Sequence, residues 1–105
     1  MVARGEVRWA QVGAKVRPVV LLTRDAVIRR LTSYVVAPCT TTVRNLPSEV
    51  PLDESDGVPK PCVVNLDNIT LVTASAVKAR ITTLPPAKMS AICSAIEVAV
   101  GCDRR

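Results

Sequence analysis

The hydrophobic pattern of this 105-residue chain changes period once, and that change limits the folds open to it. Up to residue 84, short β-branched segments alternate or run continuously between glycine and proline residues, which is typical of strands. From Ala87 to Val100, apolar residues recur every three or four positions, as on one face of an amphipathic helix. Pro86 suits its first turn, and Gly101 suits the position just past its end. Several antiparallel strands followed by one helix predict a mainly β (α+β) domain, such as a small barrel.

Prolines set limits on the predicted strands. Pro18 must lie at the start of its strand, and Pro38 marks a bulge or the end of its strand, because proline has no N–H to donate to a ladder. Residues 24–31 could form a short helix. The strand candidates are residues 5–11, 17–23, 33–40, 48–52, 62–66, 69–72 and 79–82.

The absence of histidine excludes several kinds of active site. A Ser-His-Asp triad, a Cys-His pair and a His-ligated zinc site all need this residue. One tryptophan, one tyrosine and no phenylalanine also exclude a stacking platform for nucleobases, and leave Trp9 as the candidate for an aromatic base contact. Any chemistry must therefore use Arg, Lys, Thr, Ser, Asp, Asn or Cys.

Positive charge is concentrated at the beginning of the chain. There are 14 Lys and Arg against 9 Asp and Glu, a net charge of +5, and all of this excess lies in the first thirty residues. Such asymmetry favours a polyanionic partner, with nucleic acid the first candidate, although a solvated basic face gives the same pattern. The length fits one domain over residues 1–105. We expect a cytoplasmic protein without membrane contact, because no apolar run is as long as a membrane span and no signal peptide follows Met1.

The four cysteines have neither the close pairs of a Cys₄ zinc site nor the secreted context of a disulfide framework. Cys39 and Cys62 fall in predicted strands, and Cys93 falls on the predicted helix. We expect reduced, buried thiols that pack as small apolar residues. A catalytic cysteine is the alternative, but it would have no histidine to activate it.

Five sequence blocks, in order and over nearly the whole chain, resemble the MazF/PemK family of endoribonuclease toxins from type II toxin–antitoxin systems. The second block carries Arg17-Pro18, and the third carries Pro38-Cys39-Thr40-Thr41. No single block is specific, but their order and spacing are. The blocks are residues 4–7, 17–20, 36–41, 63–69 and 81–85, and the final helix follows them.

The resemblance implies an SH3-like small barrel of antiparallel strands, of the CcdB/PemK type, with a short helix and a C-terminal helix, in a homodimer. It implies sequence-specific cleavage of single-stranded RNA without a metal or other cofactor. Attack by the RNA's own 2′-hydroxyl would give 2′,3′-cyclic phosphate and 5′-hydroxyl ends, and a cognate acidic antitoxin would neutralise the toxin. The family's catalytic arginine and threonine match Arg17 and Thr40.

The chemistry of this cleavage agrees with these residue types. The phosphorane formed by 2′-hydroxyl attack carries extra negative charge, which a guanidinium stabilises through two hydrogen bonds while keeping its own charge. We therefore expect Arg17 to act as an electrostatic stabiliser, and as a candidate proton donor, while Thr40 positions the phosphate. Asp67 could orient Arg17 or a base, or be a turn residue. The substrate-binding candidates, for each of which a solvated surface or turn residue is the alternative, are Lys15, Thr41, Thr42, Arg44, Asp67 and Asn68.

Two other functions fit the same fold. A CcdB-like toxin would inhibit a protein target such as DNA gyrase through its C-terminal helix and would not need Arg17 and Thr40. An inactive barrel would only bind a partner. The loop of residues 11–16 is also shorter than in many members of the family and has no acidic residue, which leaves the cleavage motif open.

Overall fold

Seven strands and a C-terminal helix make up this computed structural model, which describes residues 2–102. The strands are β1 (Glu6–Val12), β2 (Lys15–Leu21), β3 (Ser33–Thr40), β4 (Glu49–Leu52), β5 (Cys62–Asn65), β6 (Thr70–Thr73) and β7 (Val77–Thr83). The helices are α1 (Asp25–Ile28) and α2 (Pro86–Ala99), and short 3₁₀ turns cover Glu54–Asp56, Leu66–Asn68 and Ala74–Ala76. None of the helices in residues 2–102 is long and apolar enough to cross a membrane.

The strands form one antiparallel sheet in the order β4–β5–β3–β2–β1–β7, and β6 pairs with β3 outside this path. Within residues 2–102, β4 and β7 remain at the two ends of the path, so the sheet is open and does not close into a complete barrel. The prediction of a mainly β fold with a short helix and a C-terminal helix is confirmed.

β3 lies near the centre of the sheet and pairs with three other strands. One edge pairs with β2, whereas the other pairs first with β6, up to Val36, and then with β5, from Cys39 onward. The sequence predicted a bulge or a strand end at Pro38, and both predictions are wrong, because β3 continues to Thr40 without a register shift against β2. The N–H and C=O of Val35 point toward the β2 side. Because these groups point to alternate edges from one residue to the next, the nitrogen of Pro38, three residues later, points to the opposite edge. The missing N–H therefore falls where the partner changes from β6 to β5.

Pro18 lies in the middle of β2, which corrects the expectation that it starts the strand. The ladder between β2 and β1 runs from Lys15 to Val20, but the ladder between β2 and β3 begins only at Val19. The Leu22 N–H points toward β3. Pro18 lies four residues earlier, so its nitrogen faces the same edge, but beyond Val19–Pro38, the last pair of the ladder between β2 and β3. No ladder hydrogen bond is lost, so a proline is tolerated inside this strand.

α2 packs on the sheet through the apolar stripe that the sequence predicted. Ile92 and Ala95, about one turn apart, are buried in a cluster with residues of β1, β2, β4 and β5. Pro86 begins the helix. Gly101 follows its end with a φ of +79°, a conformation that glycine adopts without strain. The predicted helix and both of its end signals are confirmed.

A second apolar cluster lies between α1 and the first half of β3. Val19, Leu21 and Val36 are completely buried in it, and Ile28 of α1 is nearly so. The prediction of a helix within residues 24–31 is confirmed, although α1 is shorter than that range. The sheet therefore contributes to two cores, one toward α2 and one toward α1.

The four cysteines do not share one environment. Cys39 is buried and Cys62 is half-buried, but Cys93 and Cys102 are exposed. Cys93 lies beside the apolar stripe of α2, where its sulfur is 3.2 Å from Nη2 of Arg4. The prediction of burial is therefore wrong for Cys93 and Cys102. At Cys93 the helical period of 3.6 residues turns the position after a core residue away from the core, and Cys102 lies beyond the end of α2.

Candidate active site

A cavity opens where β2 and β3 diverge. Their ladder ends at the pair Val19–Pro38, and continuing its register by two residues places Arg17 opposite Thr40. Because Pro18 has no N–H on this edge, the strands can separate without leaving a ladder donor without a partner. Strand register thus brings together an arginine and a threonine that are far apart in sequence.

Arg17 lines this cavity and is half-buried. Its Nε is fully buried and has no hydrogen-bond partner among residues 2–102. Within the same residues Arg17 also forms no ion pair. A guanidinium stays charged at physiological pH and presents its donors in a planar fork. Arg17 therefore supplies a fixed positive charge that no carboxylate of the described chain neutralises directly.

Thr40 lines the same cavity from the end of β3. Its Oγ1 accepts a hydrogen bond from the Thr42 N–H at 3.1 Å, which orients the side chain. A hydroxyl that accepts one hydrogen bond can still donate its own hydrogen to another acceptor. Thr40 thus offers an oriented O–H donor in the cavity that Arg17 lines, and Thr41 lines this cavity as well.

Lys60 is a second cation in the cavity, and sequence reasoning missed it. It lies between Pro59 and Pro61 in the connection from β4 to β5. The two prolines restrict the backbone, so the lysine is presented from a stiff segment. A lysine flanked by prolines in an acidic segment is the signal that could have drawn notice, but only the tertiary fold brings that segment to Arg17.

The segment that carries Lys60 is anchored at both of its ends. Asp53 Oδ1 accepts the Ser55 N–H at 2.9 Å, and Asp56 Oδ2 accepts the Asp53 N–H at 2.9 Å. The hydrogen bonds from Ser55 hold the pKa of the Asp53 carboxyl below its ordinary value. Lys88 of α2 lies 3.7 Å from Asp56, and β5 begins directly after the prolines. The connection is therefore a folded part of the site.

The cavity has a volume of about 220 Å³ and a charge of one sign. Its lining contains two cations, Arg17 and Lys60, and no carboxylate. Trp9, Val16 and Val58 give it apolar walls, and an apolar surrounding strengthens the attraction between these cations and an anion. Nowhere in residues 2–102 do three histidine, cysteine, aspartate or glutamate side chains come together to hold a metal ion. An oxyanion such as a phosphate group is the ligand class that suits this cavity.

Comparison with known proteins identifies the family. A family model of the PemK-like, MazF-like toxins of type II toxin–antitoxin systems matches residues 3–100. The chain belongs to this family. It is 50% identical over 106 residues to the probable endoribonuclease MazF5 of Mycobacterium tuberculosis, with 97% of this chain and 95% of the relative covered. The predictions of a MazF/PemK toxin and of an endoribonuclease are thereby confirmed, and the CcdB-like alternative is not favoured.

Solved structures of mycobacterial relatives share the fold of this MazF-like chain. The Mycobacterium tuberculosis toxin MazF-mt6 is 38% identical, with a TM-score of 0.86 over 91% of this chain and 96% of the relative. An endoribonuclease solved in complex with its cognate antitoxin, from a mycobacterial species, is 27% identical, with a TM-score of 0.89 over 100% of both chains. The arrangement of sheet and C-terminal helix is thus common to the family.

Five of the six predicted substrate-binding residues of this MazF-like toxin lie outside the lining of the cavity. The Glu49 carboxylate accepts the Arg44 N–H at 3.1 Å, which fixes the backbone of the loop between β3 and β4. The guanidinium of Arg44 is left at the surface. These five residues are all exposed and comprise Lys15, Thr42, Arg44, Asp67 and Asn68.

Asp67 has partners of its own. Ser48 Oγ donates to Asp67 Oδ2 at 2.5 Å, and Asn65 Oδ1 accepts the Asp67 N–H at 2.9 Å. These hydrogen bonds join the turn after β5 to the residue before β4, which favours a turn role for Asp67. Between residues 2 and 102 no ion pair joins Asp67 to Arg17, so the structure gives no support to Asp67 as an orienting group for the arginine.

The basic residues near the start of the chain do not gather around Arg17. Arg4 donates from Nη1 to the Leu22 carbonyl at 2.6 Å, and Arg8 Nε lies 2.7 Å from Oε1 of Glu6. The net charge in the first thirty residues therefore does not correspond to one basic surface at the cavity. The arginines beside α1 are all exposed and comprise Arg24, Arg29 and Arg30.

Proposed function

We propose that this chain is a toxin endoribonuclease that cleaves single-stranded RNA in the cavity between β2 and β3. The observation that carries the proposal is the placement of Arg17 opposite Thr40 in a cavity that has two cations and no carboxylate. Such a cavity attracts a phosphate and provides donors for its oxygens. The name of the relative MazF5, a probable endoribonuclease, supports RNA as the source of that phosphate.

In the proposed reaction, the 2′-oxygen of the RNA attacks the adjacent phosphorus and the bond to the 5′-oxygen breaks. The products are a 2′,3′-cyclic phosphate and a 5′-hydroxyl. Arg17 stabilises the negative charge that develops on the phosphorane, where a preorganised donor has its largest effect. An arginine cannot act as the base, because it does not give up its proton at physiological pH. Thr40 donates its O–H to a phosphate oxygen and so holds the phosphorus in place.

A strand of RNA extends beyond one phosphate, so the surface around the cavity also belongs to the proposed site. Lys60 contacts a flanking phosphate, and Thr41 contacts the same backbone from the end of β3. Trp9 is 37% exposed and offers an aromatic face to one base. The polar residues proposed to extend the binding surface are Lys15, Thr42, Arg44, Asp67 and Asn68.

A cognate antitoxin is the proposed inhibitor. The cationic cavity suits an acidic segment of such a partner, which would compete with RNA for Arg17 and Lys60. A related mycobacterial endoribonuclease is known in complex with its cognate antitoxin, which supports this proposal. We further propose that residues 1–105 form one domain and that the toxin acts in the cytoplasm.

A homodimer is proposed because the chain exposes an apolar groove beside α1. The groove is lined mainly by apolar side chains, of which Leu71 is 66% exposed. Exposed apolar patches rimmed by polar residues mark protein interfaces. The apolar residues of the groove, called the β6 groove below, are Leu22, Val27, Leu31, Val35 and Leu71.

The test is cleavage of a single-stranded RNA in EDTA by the purified protein. We expect cleavage to products that carry 2′,3′-cyclic phosphate and 5′-hydroxyl ends, read by mass spectrometry. Arg17→Ala should lower the rate about 10²–10³-fold, because one preorganised donor to the developing charge is lost.

Arg30→Ala is the matched control, because it removes an exposed arginine that does not line the cavity and should leave the rate unchanged. Equal rates for wild type and Arg17→Ala, or intact RNA with the wild type, would contradict the proposal. Cleavage that stops in EDTA would contradict its metal-independent form.

A further inference from the structure

Two of the four cysteines lie side by side in the lining of the proposed catalytic cavity. In the ladder between β3 and β5, Cys39 is opposite Val64, and Cys62 is two residues before Val64. Residues in this diagonal relation project from the same face of a sheet and reach each other's side chains. Cys39 is 5% exposed and packs in the core cluster, and Cys62 packs against that cluster from the cavity side.

The two sulfurs are chemically unlike each other. Interaction with the neighbouring Cys62 sulfur, together with burial, raises the pKa of the Cys39 thiol. The same interaction lowers the pKa of Cys62, and the charge of Lys60 acts in the same direction, against the opposing effects of burial and Asp56. Thiolate character and access to solvent make a cysteine reactive, so Cys62 is the sulfur that reacts first. Cys39 is the neighbour that can resolve the product.

We propose that Cys39 and Cys62 are a redox modification site, which a hydroperoxide converts to a disulfide, and that this disulfide suppresses RNA cleavage. The second half of the proposal rests on the proposed function. Disulfides in reducing compartments are mostly transient and serve catalysis or redox sensing, and a half-exposed cysteine beside a resolving cysteine is the arrangement that such sensors use.

The reaction consumes one hydroperoxide and two thiols. The Cys62 thiolate attacks one oxygen of the peroxide, the O–O bond breaks, and Cys62 becomes a sulfenic acid while the other oxygen leaves as hydroxide, which takes up a proton. The Cys39 sulfur then attacks the Cys62 sulfur, loses its proton, and the sulfenic oxygen leaves as water. With hydrogen peroxide, both cysteines are oxidised to the disulfide and the peroxide is reduced to two waters.

Closing this disulfide would disturb the catalytic geometry. Diagonal neighbours in a sheet have Cα atoms about 7–8 Å apart, whereas a disulfide needs about 4.4–6.8 Å. β3 and β5 must therefore shift toward each other by on the order of 1 Å. Thr40 follows Cys39 directly, so the shift moves its hydroxyl relative to Arg17. A misplacement of about 1 Å can lower a rate about 10²-fold.

The exposed cysteines of α2 and its end supply a matched background. The double variant Cys93→Ser/Cys102→Ser keeps only the cavity thiols and changes two exposed positions outside the cavity lining. Its reduced form should cleave RNA at the wild-type rate. A further Cys62→Ala change in this background removes the attacking sulfur from a half-buried position and leaves the buried Cys39 in place.

The experiment treats the full-length double variant with hydrogen peroxide. We expect the intact mass to fall by the mass of two hydrogen atoms, and the peptides of Cys39 and Cys62 to be cross-linked. The RNA-cleavage rate should fall about 10²-fold and recover on treatment with dithiothreitol. The Cys62→Ala protein should show neither the mass loss nor the reversible fall in rate.

Three outcomes would overturn the proposal. These are no mass loss, over-oxidation of Cys62 without a cross-link, and a cross-linked protein that cleaves RNA as fast as the reduced one. If the reduced protein cleaves no RNA at all, the proposed function fails, and the mass measurement still decides whether the two thiols form a disulfide.

Discussion

The two halves of β3 lie in one strand but pair with different strands and border different surfaces. The first half, Ser33–Val36, pairs with β6 and runs beside the β6 groove, where Val35 and Leu71 are exposed. The second half, from Pro38 onward, pairs with β5 and ends at Thr40 in a cavity with two cations. One half therefore offers an apolar surface, and the other offers a charged cavity.

The difference shows how a small sheet can carry two unlike surfaces. The change of partner at Pro38 leaves β3 paired with β6 on one side and with β5 on the other, so each half has its own neighbours. An apolar groove gains free energy by covering itself with another protein surface, whereas a cationic cavity gains it by holding an anion. Changes in the two halves should thus affect different measurements, and the following predictions test that separation.

The largest effect is expected at the cavity end, from Thr40→Val. This change keeps the shape of the side chain but removes the hydroxyl, which accepts a hydrogen bond from the Thr42 N–H in the lining of the cavity. We expect the RNA-cleavage rate to fall about 10²–10³-fold, because one fixed donor to the phosphate is lost. Thr40→Ser keeps the hydroxyl and should retain most of the rate. A Val variant as active as the Ser variant would remove Thr40 from the mechanism.

The next effect is expected in the β6 groove, from Leu71→Glu. If the groove is the dimer interface, a charge in place of Leu71 should raise the dimer dissociation constant about tenfold to hundredfold, because a buried leucine contributes about 1.5–3 kcal/mol. Light scattering over a range of protein concentrations measures this change. Ala79→Glu adds the same single negative charge at an exposed position of β7 and is the control. A Leu71→Glu protein that dimerises normally but no longer binds its antitoxin would assign the groove to the antitoxin.

The smallest effect is expected from Lys60→Ala, at the rim of the cavity. A lysine that binds a phosphate outside the bond being broken contributes to binding more than to the chemical step. We expect a several-fold rise in KM with little change in kcat, and a salt dependence of RNA binding that is shallower by about 0.7 in log–log slope. Lys78→Ala should change neither quantity. An unchanged salt dependence in Lys60→Ala would show that this lysine does not contact phosphate.

The sequence predicted regular elements well where the pattern was local. The period of α2, the proline at its start and the glycine after its end are all local signals, and each was confirmed. The predictions of a strand start at Pro18 and of a bulge or strand end at Pro38 were wrong. They assumed that a neighbouring strand pairs on the edge where proline lacks its N–H. Where the ladder stops is a property of the tertiary fold, and both prolines lie at such points.

The candidate site was predictable only in part for the same reason. Periodicity gave no reason to connect Arg17 with Thr40, and the resemblance to the family was needed to name them. Lys60 was missed because it reaches the cavity through a connection whose course depends on Asp53, Asp56 and α2. The sequence leaves Asp67 as either an orienting group or a turn residue, because its hydrogen bond with Ser48 depends on a contact between distant segments.

The buried Nε of Arg17 has a consequence for how mutation can inactivate this toxin. A buried donor without a partner lowers the free energy of unfolding by about 1–3 kcal/mol relative to an apolar group of similar shape. Arg17→Met should therefore give a protein that melts at a higher temperature than the wild type while it no longer cleaves RNA. Cells that escape the toxin through this position would keep a stable, abundant protein, so the loss of toxicity would not depend on loss of the fold.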